Sequence, residues 1–353
     1  MTDLLKNRKP RIAAWDYARI ISAFVVVLVH TAIKVQDTYG LEMAFTKIPL
    51  SNWAVVVFFV LSGASLIVNY PLISSFQEAV SFYKKRFRKI FPMFWFVWFV
   101  MFVLKAVMKR SLFWGGNPLK ILLSVCGLDG YLHYIIPNYY SVGEWFLGAL
   151  IILYVLYPLL LSFMNNKTAR VVFSVLLVAA YLANLLFFSF QMDKFRNPLS
   201  CILVFWVGML IGKYYHADSF QKFLRSLPAL VGTVALLAVF LLVPMGLPPV
   251  ITMHLVGILF FLLICQLFRK ECPNDKVRHA VIVMGKATYA VFLTHHVLAD
   301  NVFHLVFRFV HANAAAVVLV VLVSAVIFAC GVVFDLLWNR VVKKMKSGSA
   351  LKA

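Results

Sequence analysis

Apolar runs close to 20 residues long recur along the whole of this sequence, separated by short polar and basic segments. A helical run of that length matches the hydrocarbon thickness of a bilayer. A chain of 353 residues cannot form a soluble core large enough to bury so many such runs. The hydrophobic fraction of 63% agrees, because soluble domains contain about 45 to 50% apolar residues. The sequence therefore predicts an all-α polytopic membrane protein without a soluble domain.

The hydrophobic pattern divides into ten transmembrane helices. Their predicted bounds are 16–34, 50–70, 91–108, 145–163, 170–190, 198–215, 228–245, 250–268, 286–307 and 314–338. We expect one transmembrane domain over residues 1–353, with cytoplasmic tails at 1–15 and 339–353.

The basic residues orient these spans. With the N-terminus in the cytoplasm, the inner segments hold about three Lys or Arg for each one in the outer segments, as the positive-inside rule requires. Ten spans then place the C-terminus in the cytoplasm too. The net charge of +21 is divided among separate loops, which favours contact with anionic membrane lipids and argues against a nucleic-acid ligand.

The first apolar run carries a polar stripe. Arg19 and His30 project from one helical face, because eleven residues make three turns plus roughly 20°. Asp16 lies on the same face and can pair with Arg19. Ionisable groups in a membrane helix usually face a cavity or a partner. His30 is a candidate general base, since a neutral imidazole accepts a proton near pH 7; a histidine that only packs against a neighbouring helix is the alternative.

Two features on the predicted cytoplasmic half suit a cofactor. The cluster at 84–89 offers charges that phosphate groups would bind, although a solvated membrane anchor explains it as well. Its members of interest are Lys85, Arg86, Arg88 and Lys89. Ser62 lies beside Gly63 in the second span, where close helix packing is the simpler interpretation and a cofactor contact the alternative.

Polar and aromatic residues also gather at the predicted outer face. The segment 109–144 is too long and too aromatic for a plain connection, and we expect it to fold back as a lid or wall. Glu144 opens the fourth span and is either catalytic or merely solvated. In the ninth span His295, His296, Asp300 and His304 suggest a polar vestibule, to which Tyr139 and Trp145 would contribute. No metal is expected, because side chains four residues apart drift by about 40° and only one carboxylate is present.

In order along the chain, these features resemble the acyltransferase-3 family of bacterial membrane proteins. The match comprises Arg19 and His30 with ten residues between them, Phe58 to Gly63, Arg86-x-Arg88 before Pro92, Trp145-Phe-Leu with Tyr154 and Pro158, and Thr288-Tyr-x-x-Phe-Leu-x-His295. Each motif is weak alone, and together they cover nearly the entire chain.

The resemblance implies transfer of an acyl group, most commonly acetyl, from cytoplasmic acyl-CoA to a hydroxyl of a cell-surface or lipid-linked carbohydrate. His30 matches the essential histidine of the family and Arg19 its partner, while Arg86 and Arg88 match residues on the coenzyme A side. The implied location is the bacterial plasma membrane, with acyl-CoA, a glycan or glycolipid acceptor and membrane lipids as partners. A homo-oligomer is compatible with the resemblance, which does not decide the oligomeric state. The alternative is a transporter or flippase for a glycolipid or small anion, which the absence of internal repeats disfavours.

Overall fold

The computed structural model describes residues 11–188, 191–270, 272–307 and 313–350, without the side chains at 301–306, 313, 314, 346 and 348–350. Of the residues in these ranges, 81% are helical and none forms a strand. The helices are α1 (Ala13–Tyr39), α2 (Leu50–Asn69), α3 (Phe76–Met108), α4 (Ile121–Val125), α5 (Asp129–Leu132), α6 (Glu144–Asn165), α7 (Lys167–Phe187), α8 (Pro198–Tyr214), α9 (Asp218–Arg225), α10 (Leu227–Leu242), α11 (Pro249–Leu267), α12 (Asp275–Phe307) and α13 (Asn313–Ala350). Short 3-10 turns lie at Ala44–Lys47 and Pro118–Lys120.

The all-α polytopic architecture is confirmed, and each of the ten predicted spans contains a helix. Within the described ranges, eight helices are long and apolar enough to cross a membrane: α1, α2, α3, α6, α7, α11, α12 and α13. The pair α8 and α9 reaches that standard only together and is bent by 102°, while α10 is apolar but has 16 residues. The count of ten spans and the cytoplasmic location of both ends therefore stay predictions.

Helix α3 begins well before the predicted bound at 91. The hydroxyl of Ser75 caps its first turn by accepting a hydrogen bond from the Glu78 N–H. The apolar window marks only the part of a helix that suits lipid, whereas Lys and Arg extend the same helix readily into water. The basic cluster at 84–89 consequently lies on a helix and its side chains point in different directions.

Helices α2 and α8 cross with their backbones in contact. A Cβ added to Gly63 would lie 2.1 Å from the carbonyl oxygen of Phe205, and one added to Gly208 would lie 2.2 Å from that of Val60. Small residues are required at such crossings. Gly63 and Gly208 therefore serve close helix packing, which is the simpler interpretation of the Ser62-Gly63 pair.

Helix α1 packs against α2, α11, α12 and α13, so its polar stripe lies inside the bundle. The segment 109–143 folds back onto the bundle where α1 ends and α6 begins. The Trp98 indole N–H of α3 donates to the Tyr139 carbonyl at 3.2 Å, and the Tyr139 hydroxyl donates to the Gly116 carbonyl at 2.6 Å. We call this region, with His30 and Glu144, the His30 end, and the opposite region, with Asp16 and Arg86, the Arg86 end.

Candidate functional site

Three helices bring four ionisable side chains together at the His30 end. His30 comes from α1, His295 and His296 come from α12, and Glu144 is the first residue of α6. His30 Nδ1 lies 3.0 Å from His295 Nε2, and the His30 and His296 rings stack with centroids 4.7 Å apart. His296 Nε2 contacts the Glu144 carboxylate. The predicted base and part of the predicted vestibule thus form one cluster.

A hydrogen-bond chain fixes the tautomers in this cluster. His295 Nδ1 lies 2.7 Å from the Phe292 carbonyl oxygen, and a carbonyl only accepts, so Nδ1 of His295 carries the proton. When His295 is neutral, its Nε2 must accept the hydrogen bond from His30 Nδ1–H. Neutral His30 then has its lone pair on Nε2, which makes that nitrogen the available base.

Glu144 reaches the cluster through an unusual backbone turn. Gly143 has φ 92° and Glu144 has φ 32°, and positive φ is uncommon for a residue with a side chain. A Cβ on Gly143 would lie 3.1 Å from side-chain atoms of Phe94 and Leu147, which would have to shift slightly, so the positive φ is the main reason for glycine here. The turn places the carboxylate at the N-terminus of α6, where the helix dipole favours negative charge.

The cluster also has the donors of a metal site. One ligand atom from each of His30, Glu144, His295 and His296 lies within 4.8 Å of the others. Two imidazole nitrogens on a tetrahedral zinc ion would lie about 3.3 Å apart, given bonds of about 2.0 to 2.1 Å. The 3.0 Å between His30 Nδ1 and His295 Nε2 is the usual length of a hydrogen bond, so the same side chains also form a hydrogen-bonded group without an ion.

A second polar group lies at the Arg86 end. Asp16 is 1% exposed and forms ion pairs with Arg11 and, at 3.0 Å, with Arg19. The other terminal nitrogen of Arg19 donates to the Ser65 hydroxyl at 2.9 Å. The Asp16–Arg19 pairing agrees with the sequence prediction. The serine in contact is Ser65, one turn beyond the half-buried Ser62 that the sequence singled out.

The basic cluster of α3 separates into an inward and an outward set. The Arg86 guanidinium lies 4.9 Å from the ring centroid of Tyr70 and 5.8 Å from that of Tyr154, and its Nε is buried without a hydrogen-bond partner. Tyr154 is also close enough to Arg19 to interact electrostatically with it. The outward set is exposed and comprises Lys85, Arg88 and Lys89. Arg86 is therefore the member of this cluster whose contacts connect it to the polar groups of the interior.

The other predicted vestibule residues differ in accessibility. Tyr139 is fully buried, with its hydroxyl bound inside the 109–143 segment, and Trp145 is 7% exposed. Asp300 forms an ion pair with Lys34. The His304 side chain lies outside the described residues.

Sequence reasoning missed Arg196, which follows α7 and lies against the 109–143 segment. Its guanidinium is 4.1 Å from the ring centroid of Tyr134 and 5.6 Å from that of Trp145. Burial and the Glu144 carboxylate raise the pKa of the Tyr140 hydroxyl, and the Arg196 charge opposes them. Tyr140 is therefore near both charges. No linear motif marks Arg196, because its neighbours come from two distant segments.

One of three comparisons with known proteins supports the family resemblance. A family model described as an acyltransferase domain, that of acyltransferase-3, matches residues 12–334. The searches of curated proteins and of solved structures gave no match. Because the model covers nearly the whole chain, the protein belongs to the acyltransferase-3 family and is a multi-pass membrane acyltransferase.

Proposed function

We propose that this protein transfers an acyl group, most commonly acetyl, from cytoplasmic acyl-CoA to a hydroxyl of a cell-surface or lipid-linked carbohydrate, in a bacterial plasma membrane. The observation that carries the proposal is the chain from the Phe292 carbonyl through His295 to His30, which leaves a basic nitrogen on His30. In this proposal the polar residues of the Arg86 end bind the donor, and those of the His30 end bind the acceptor and carry out the reaction.

The donor binds at the Arg86 end. Coenzyme A phosphates are too strongly hydrated to enter hydrocarbon, so they stay with Arg86, which can offer hydrogen bonds to phosphate oxygens. Helix geometry gives about 16 Å of rise between Arg19 and His30, a distance that the thin pantetheine arm must cross. Tyr154, Arg19 and Ser65 lie at the start of that path and supply polar contacts for its amide groups.

The chemistry takes place at the His30 end. His30 Nε2 takes the proton of the acceptor hydroxyl as its oxygen attacks the thioester carbonyl carbon. The C–O bond forms, the C–S bond breaks, and the proton on His30 passes to the departing thiolate of coenzyme A. Atoms and charge balance without a further reactant.

Glu144 and His296 support the charge that develops in this step. When His30 gains a proton, the stacked imidazoles carry a positive charge close to the Glu144 carboxylate. Opposite charges attract strongly in a site that excludes water. Glu144 thus stabilises the protonated form of the base, and its loss should lower turnover.

The test measures acetyl transfer and acetyl-CoA turnover by the protein purified in detergent. His30→Ala should abolish turnover and keep coenzyme A affinity within about twofold, because the phosphates bind at the other end. His279→Ala is the matched control, since His279 is an exposed histidine of the same helix as His295. Unchanged turnover in His30→Ala would refute the proposal. Movement of a glycolipid or anion in vesicles without acyl-CoA would support the transporter alternative.

A further inference from the structure

Among the described residues, Arg196 is a cation that contacts aromatic rings and donates no hydrogen bond from its guanidinium. The rings of Tyr134 and Trp145 attract the guanidinium through their π faces. Such contacts fix its position and accept none of its N–H groups. The side chain is partly exposed, and Tyr134 is 53% exposed. A ligand at the His30 end can therefore reach the Arg196 donors.

No carboxylate pairs with Arg196 in the described part of the chain. Asp193 is the nearest acidic residue in sequence, and its Oδ1 instead accepts the Phe195 N–H at 2.9 Å. Lys34, at the same end, is paired with Asp300. The aromatic contacts remove part of the hydration of the guanidinium, and an anion that binds there would replace that hydration with charge-assisted hydrogen bonds. Arg196 is thus a cation whose natural counterion comes from outside these residues.

Arg196 lies at the His30 end, where the acceptor is proposed to bind, and not at the Arg86 end, where the donor is proposed to bind. Trp145 directly follows Glu144, and the Tyr140 hydroxyl lies near both Glu144 and Arg196. The exposed ring of His133 stands 4.9 Å from that of Tyr140, which adds flat surface beside the guanidinium. Coenzyme A phosphates bound at Arg86 would remain at the opposite end of the bundle.

We propose that Arg196 binds a negatively charged group, a carboxylate or a phosphate, on the carbohydrate acceptor, and that the enzyme consequently acylates acidic glycans in preference to neutral ones. The inference rests on the proposed function. Arg is suited to this task because its planar fork matches both oxyanions with two parallel hydrogen bonds. The sugar ring lies over Tyr134 and Tyr140, with its acylated hydroxyl toward His30.

The experiment compares three acceptors with the purified protein and acetyl-CoA: methyl glucoside, methyl glucuronide and methyl glucoside 6-phosphate. Mass spectrometry of the acetylated products gives kcat and KM for each. We expect one or both charged acceptors to exceed the neutral one in kcat/KM by about 10- to 100-fold, the range for hydrogen bonds to charged groups. The charged acceptor with the larger kcat/KM shows whether a carboxylate or a phosphate is preferred.

Variants assign the preference to Arg196. Arg196→Gln should reduce the ratio of charged to neutral kcat/KM to near one, mainly through KM, and Arg196→Lys should keep part of the ratio because it retains a point charge. Arg110→Gln is the control, since Arg110 is an exposed arginine of the 109–143 segment and should leave the ratio intact.

Two results would overturn the inference while leaving acyl transfer standing. One is equal use of neutral and charged acceptors by the unmodified protein, and the other is an unchanged ratio in Arg196→Gln. Transfer to none of the three, with acetyl-CoA turnover that still depends on His30, counts against it as well. Loss of His30 dependence itself would instead refute the proposed function.

Discussion

Replacing Arg86 and Arg88 one at a time gives the sharpest test of the donor site. The family motif names the two residues together, but positions two apart on a helix project about 160° from each other. Arg86 lies over Tyr70 and Tyr154, whereas Arg88 is exposed. We therefore expect Arg86→Ala to weaken coenzyme A binding and Arg88→Ala to have little effect.

The magnitude follows from the contacts that Arg86 can offer. A hydrogen bond to a charged group contributes about 1.5 to 3 kcal/mol, so the loss of Arg86 should raise the Kd for coenzyme A roughly 10- to 100-fold. An exposed cation such as Arg88 interacts with a phosphate mainly through water and salt, and its loss should change Kd by less than about threefold. Arg86→Lys should fall between, since Lys lacks the bidentate fork.

Titration calorimetry with coenzyme A in detergent measures these values at two salt concentrations. Dephospho-coenzyme A, which lacks the 3′-phosphate, shows whether Arg86 contacts that phosphate. If it does, Arg86→Ala should cause little further loss of affinity for dephospho-coenzyme A, because the contact is already missing. Gel filtration and His30-independent properties such as thermal stability check the fold of each variant. Equal losses in Arg86→Ala and Arg88→Ala would refute the assignment of Arg86 alone to the donor.

Three further predictions follow from the His30 end. His295→Phe keeps an aromatic ring, though a slightly larger one, and removes the acceptor of His30 Nδ1–H, so kcat should fall about 100-fold while the Kd for coenzyme A stays constant in the same calorimetric assay. Dialysis against EDTA should leave turnover unchanged, and elemental analysis should find well under about one-tenth equivalent of zinc, because the histidine separation fits a hydrogen bond; metal-dependent turnover would instead support ligation. Burial raises the pKa of Asp129 to about 6, so this carboxyl destabilises the fold increasingly as pH rises from about 4 to 6. Asp129→Asn should stabilise the protein by on the order of 3 kcal/mol at pH 8 and by about half of that at pH 5, which would appear as a larger gain in Tm at the higher pH. An equal gain in Tm at both pH values would contradict this pH dependence.

The sequence was sufficient for the fold class because lipid imposes a simple rule on the backbone. Within the bilayer every peptide group needs a partner inside its own segment, so each long apolar run becomes a helix. Helix ends were less predictable where charged residues continue the helix beyond the lipid, as in α3 from Phe76 and α12 from Asp275. The end of α8 at Tyr214 agrees with the predicted bound at 215, but hydrophobicity alone does not give the 102° bend between α8 and α9.

The site was predictable in part for a related reason. Periodicity within α1 reveals that Asp16, Arg19 and His30 share a face, because all three belong to one helix. It cannot reveal that His295 meets His30, or that Arg196 lies against Trp145, since these contacts join residues far apart in sequence. Nor does spacing distinguish Ser62 from Ser65, which lie almost one helical turn apart on α2.

The polar stripe of α1 is best understood as two sites that share one helix. Asp16 and Ser65 hold the Arg19 side chain at the Arg86 end, and the rise of about 16 Å to His30 exceeds the reach of an arginine. Under the proposed function, we therefore expect Arg19 to act on the donor path and not on the atoms that react beside His30. In the proposed reaction, the two ends of this helix face would keep the donor phosphates and the acceptor hydroxyl apart, and the pantetheine arm would connect them. Because Arg19 and His30 belong to the same helix, their separation is set by helical rise, and we propose that the ten-residue interval between them serves the reaction as well as packing.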